Sequence, residues 1–121
     1  MKFFVYGSLM QGYGNHRRIK DANLLGKFTT SKAYTMYSLG SFPAVVCGGD
    51  TAIHGEVYET EDQSIIHGLY ALEGYSGIPT EDGGHNMYDI ETIDTQWGKA
   101  TMFVMRRKFS HHPILTGKWL Q

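Results

Sequence analysis

The chain has little with which to cross-link itself. Cysteine occurs once, at Cys47, so no disulfide can form within the chain, and a reduced, cytoplasmic setting is the expectation. Charge of one sign is also lacking: 11 basic against 12 acidic residues leave a formal −1. Without a basic field there is nothing to neutralise a phosphate backbone, and nucleic acid is not an expected partner. Long apolar runs are missing too. The run at residues 3–6 is too short for a signal peptide or a bilayer span, so no membrane partner is expected. Proline occurs only three times, whereas glycine occurs fifteen times. Punctuation by so many glycines favours a β-rich fold with many turns over a helix bundle. At 121 residues the chain suits one domain, 1–121, around a single core.

What is present reads as short strands around one helix. Strands are expected at 2–6, 24–30, 33–39, 52–59, 87–94 and 99–106, with a further short one at 44–47. In 99–106 the alternation puts Met102 and Val104 on one face and Phe103 and Met105 on the other. Both faces are apolar, which points to an interior strand or one covered by a helix. The helix signal follows the fourth strand. Thr60 is the expected N-cap, with Gln63 completing a capping box, and Ile65, Ile66, Leu69 and Leu72 form an apolar stripe. Gly74 ends it. Residues 15–22 read as a weaker helix with basic Arg17, Arg18 and Lys20, and 77–85 as a flap-like loop.

Glu73 is out of place on that helix. It lies four residues after Leu69 and seven after Ile66, on the apolar stripe, in the last turn. The helix dipole there disfavours a carboxylate by only ~0.3–1 kcal/mol. Burial would raise a carboxyl pKa by up to ~3–5 units and would dominate any large shift. Two readings stay open on pattern alone: a frayed end turned to solvent, or a carboxyl kept in a pocket as a general base.

The first strand poses a matching question. It runs directly into Gly7 and Ser8, with Gly12 and Gly14 beyond, a glycine-marked stretch with little to pack. That is either a plain turn or a loop presenting backbone N–H groups to a ligand. Tyr6-Gly7-Ser8-Leu9 is followed in order by Phe42-Pro43-Ala44, Gly55-Glu56-Val57-Tyr58, Leu72-Glu73-Gly74-Tyr75, Tyr88 and a terminal Thr116-Gly117-Lys118-Trp119. Together these resemble the gamma-glutamylcyclotransferase-like family, in its AIG2-like and gamma-glutamylamine cyclotransferase branch. The resemblance spans nearly the whole chain. It implies an α+β fold, a small mixed β-barrel with flanking helices, that takes a small-molecule gamma-glutamyl substrate. It implies release of 5-oxoproline without metal or organic cofactor, with Tyr6, Gly7, Ser8 and Leu9 binding substrate and Glu73 as acid/base. In one respect the chain departs: many relatives carry arginine two residues after the tyrosine, where Tyr88 is here followed by Asp89 and Ile90.

Other signals carry less. Cys47 follows Val45 and Val46 and reads as a small core residue rather than a nucleophile. His54-Gly55-Glu56 has the histidine and glutamate of a zinc deaminase but no downstream cysteine pair. His111 and His112 are adjacent, so on a strand they would point to opposite faces and could not share a metal. Gly12-Tyr13-Gly14 lacks the third glycine of a dinucleotide fingerprint, though Tyr13 is placed to line a pocket. The rival to an enzyme is a non-catalytic protein that uses the same pocket to sense an acidic metabolite.

Overall fold

The computed structural model describes residues 1–80 and 86–120. Of the expected flap, residues 81–85 therefore lie outside the described part. Element order is β1 Lys2–Val5, β2 Asn23–Thr29, β3 Tyr34–Ser38, β4 Pro43–Cys47, β5 His54–Glu59, α1 Gln63–Glu73, β6 Asp89–Thr95 and β7 Gly98–Val104, with a 3₁₀ turn at His16–Arg18. The class is α+β. A five-stranded sheet has the order β2-β5-β1-β7-β6, and β3 and β4 form a second, two-stranded sheet. Among the described residues β1 and β7 pair in parallel and the other strand pairs are antiparallel, so the larger sheet is mixed. Among the described residues no ladder joins β2 to β6 to close a barrel. A backbone hydrogen bond from Met105 N, just after β7, to Val45 O in β4 links the two sheets, while Thr30 N to Ile53 O extends the β2–β5 ladder.

The apolar run in β1 suits the centre of this sheet. Phe3 and Val5 join the helix-side cluster with Ile66, Leu69, Tyr88 and Phe103. Phe4 and Tyr6 join the opposite cluster with Met36, Val45, Val57, Met102 and Val104. Both faces of β1 are thus covered, and Phe3 and Phe4 are each fully buried. Each such side chain stabilises the fold by ~1.5–3 kcal/mol relative to exposure. The alternation expected in β7 holds: Phe103 and Met105 face the first cluster, Met102 and Val104 the second.

Three local expectations change. The helix cap is Asp62, whose carboxylate accepts from Ser64 N at 2.9 Å. Thr60 stays outside the helix: its N–H extends the β1–β5 ladder, donating to Met1 O at 3.0 Å, and its hydroxyl accepts from Asp62 N at 3.1 Å. The proposed helix at 15–22 contracts to the His16–Arg18 turn. Cys47 is exposed rather than packed in the core. It ends β4, where Gly48 and Gly49 turn the chain away, and partial burial, with Glu91 adding, still pushes its thiol up.

Candidate active site

Where β1 ends, the chain turns back on itself. Met10 N donates to Gly7 O at 3.1 Å, and Asn15 N donates to Ser8 O at 2.9 Å. The Asn15 side chain repeats the link, Nδ2 donating to Ser8 Oγ at 2.8 Å. His16 Nδ1 donates to Leu9 O at 2.9 Å, so the carbonyls of residues 7–9 are all engaged. Their N–H groups are not: Gly7, Ser8 and Leu9 donate no hydrogen bond among the described residues. The loop lies hard against β4. A Cβ on Gly7 would stand 2.9 Å from Pro43 Cγ, so glycine is what lets the backbone come this close.

The second wall is built by the end of α1. Gly74 adopts the left-handed conformation at φ 63°, which stops the helix and caps its last turn. Glu73 O then accepts from Tyr88 N at 3.1 Å, and Gly74 O from Met87 N at 3.0 Å. The strand entering β6 is thereby docked onto the helix end, with Glu73 beside Met87 and Tyr88. These segments enclose a cavity of about 250 Å³ lined by Tyr6, Gly7, Ser8, Leu9 and Glu73. Phe42, Pro43, Leu72, Met87, Tyr88 and Asn15 complete most of its surface. All five residues singled out in the sequence therefore meet at one place.

The electrostatics of this cavity turn on Glu73. Its carboxyl makes no hydrogen bond or ion pair among the described residues. Protein surrounds it closely while the cavity leaves it partly accessible, and desolvation raises its pKa from 4.5 to about 7. The two phenols nearby are engaged elsewhere. Tyr6 OH donates to Phe103 O and Tyr88 OH to Pro43 O, each at 2.6 Å. Burial pushes both phenols up, with Glu73 adding in each case. They remain neutral and hold the walls together.

The same combination of fold and motifs is found in known proteins. Residues 3–121 match the family described as gamma-glutamyl cyclotransferase, AIG2-like. The chain belongs to that family. It is 36% identical over 121 residues to the gamma-glutamylcyclotransferase family protein YtfP of Escherichia coli K12, covering 99% of this chain and 96% of the relative. The solution structure of E. coli ytfP superposes with a TM-score of 0.71, 36% identity and the same coverage of the two chains. A mouse AIG2-like protein, 20% identical, shares the fold alone, with a TM-score of 0.65 over 90% of this chain and 79% of its own.

Within this AIG2-like member, some cavity residues had no signal of their own in the sequence. Leu72, Met87, Asn15 and Phe103 read as ordinary strand, helix and loop positions; only the fold brings them to the cavity. Tyr13 falls outside it. Its hydroxyl donates to Trp119 O at 2.6 Å, and it lines a separate cavity of about 360 Å³ with Lys27, Glu56 and Trp119. Glu56 is structural at its observed contacts, accepting from Gln11 N and Tyr58 OH at 3.0 Å each. Ile90, at the position where arginine was noted in relatives, packs against the helix-side core. The nearby Arg106 is committed to Glu91 at 2.8 Å and to the Thr80 and Ile90 carbonyls. Among the described residues no group of three or more His, Cys, Asp or Glu side chains is placed to hold a metal. No described helix is long and apolar enough to cross a membrane.

Proposed function

We propose that the protein releases 5-oxoproline from a small gamma-glutamyl compound, with Glu73 as general base and then general acid. Support comes first from one observation: a desolvated carboxyl with a pKa of about 7 lines the same cavity as the unengaged N–H groups of residues 7–9. Such a substrate carries its own nucleophile. The free α-amine attacks the γ-carbonyl carbon, forming the ring C–N bond and passing its proton to the Glu73 carboxylate. The amide C–N bond then breaks, and Glu73 returns the proton to the leaving amine. Ring closure is intramolecular, so the enzyme's main task is to hold the bent substrate; well-oriented reactions of this kind reach effective molarities of ~10⁵ M or more.

The pKa sets the efficiency of the proton step. A carboxyl at ~4.3 facing an amine at ~7.7–8.0 would lose about 5 kcal/mol in proton-transfer equilibrium. At about 7, the gap to such an amine shrinks to ~1 unit, or ~1.4 kcal/mol. The N–H groups of Gly7, Ser8 and Leu9 are the donors for the substrate carboxylate or the developing oxyanion.

The decisive assay incubates the protein with a panel of gamma-glutamyl amines and dipeptides and follows 5-oxoproline by mass spectrometry. At least one should turn over. Glu73→Gln keeps the shape and removes the base, so turnover should fall by ~10²–10⁴ with binding largely retained. Full activity of Glu73→Gln would refute the base role. Tight binding without turnover in the parent would make the protein a metabolite sensor instead.

A further inference from the structure

The walls of the cavity are uneven in a way that bears on the substrate. Among its described lining residues there is no lysine, arginine or histidine, and Glu73 is the only side chain that can carry charge near neutrality. Its polar donors cluster on one side, in the loop of residues 7–9. Elsewhere the lining is mostly apolar: the Tyr6 and Tyr88 hydroxyls are spent on Phe103 O and Pro43 O, and the Asn15 amide on Ser8 Oγ. Phe42, just before β4, and Met87, just before β6, both belong to it, yet they are 37% and 48% exposed. A side chain that lines a cavity and still meets water lies where the cavity opens. Two large apolar groups from separate elements therefore flank the mouth, with the partly buried Leu72 also in the lining.

We propose that the amine portion of the gamma-glutamyl substrate is uncharged and apolar, and that Phe42 and Met87 select it at the mouth. This rests on the cyclotransferase reading above. The glutamyl half needs the donors of residues 7–9 for its carboxylate, and the described side chains at the mouth, Phe42 and Met87, offer the other half apolar surface. An apolar amine covers Phe42 and Met87 and removes their surface from water, at about 25 cal/mol per Å². An amino acid or peptide in the same place brings a second carboxylate. It would find no cation among the described lining residues, and it would share a low-dielectric cavity with Glu73, itself ionised in the reactive state. The cavity volume of about 250 Å³ lies below the ~300–1,000 Å³ typical of pockets for drug-sized ligands, so the amine must be short.

A matched pair of substrates isolates the carboxylate. Gamma-glutamyl-phenethylamide and gamma-glutamyl-phenylalanine differ only in that group. With the parent protein, kcat/KM for the amide should exceed that for the acid by at least tenfold. Met87→Lys places a cation at an already exposed position and should narrow or reverse the ratio. Equal rates, or preference for the acid, overturn the proposal, as does an unchanged ratio in Met87→Lys. If neither compound releases 5-oxoproline, the same pair is compared by calorimetric binding. Tenfold tighter binding of the amide then keeps the mouth assignment while the catalytic reading falls; equal binding, or none, overturns both.

Discussion

Glu73 is costly where it stands, and the cost has a sign that can be measured. Its pKa is raised from 4.5 to about 7 because burial penalises the charged form. Between those values the native state holds more proton than the unfolded chain, so unfolding releases proton and stability falls as pH rises. The stabilising term is fully present below about 4.5 and is lost by about 7. At 1.36 kcal/mol per unit the loss is of order 3 kcal/mol. Glu73→Gln removes the titration. Urea unfolding of both proteins from pH 4 to pH 8 should therefore show the parent losing about 2–3 kcal/mol relative to the variant across that window. A constant difference with pH would mean the carboxyl is not desolvated. The same group sets the lower limb of the rate: kcat/KM should climb with pH through about 7 as the carboxylate forms, and level off only once the substrate α-amine, at ~7.7–8.0, is also free.

At the scale of elements, α1 shows which features of a helix the sequence discloses. The apolar stripe was readable, and Ile66 and Leu69 are its buried residues. Its C-terminus was readable too, because the left-handed position at Gly74 has an evident occupant. The start was not. Thr60 and Asp62 both carry capping side chains, and nothing in the local pattern decides between them. Asp62 then provides the acceptor, taking bonds from Ser64 N and from Ser64 Oγ at 2.7 Å. Asp62→Ala should accordingly cost about 1 kcal/mol in chemical denaturation, within the ~0.5–2 kcal/mol range for lost caps. Thr60→Ala should cost less, since its hydroxyl only accepts from Asp62 N at 3.1 Å outside the helix. A larger loss for Thr60→Ala would restore the capping box.

Across the whole molecule, the local patterns disclosed strands and helix, while long-range pairing had to come from the structure. Of the five candidate residues, Glu73, Gly7 and Ser8 stood out by breaking a pattern, a carboxyl on an apolar stripe and small residues after a buried strand, while Tyr6 and Leu9 came with the family motif. Met87 and Phe42 broke none. The role of the C-terminal segment was similarly hidden, since 107–120 has no regular element to announce it. Yet it ties both sheets together. Ile114 N donates to Met36 O in β3, His54 N in β5 donates to Gly117 O, and Tyr13 OH holds Trp119 O. Trp119 itself is only 6% exposed, while its indole N–H is buried and meets no acceptor among the described residues. Those two facts predict different costs for two substitutions. Trp119→Ala removes the packed ring and should destabilise by ~3–5 kcal/mol. Trp119→Phe keeps an aromatic ring and deletes a buried donor that has no partner, which offsets part of the lost volume. It should cost well under half as much in the same urea titration. Equal losses for the two would show that the indole N–H is satisfied and that the tail is held by that bond rather than by packing.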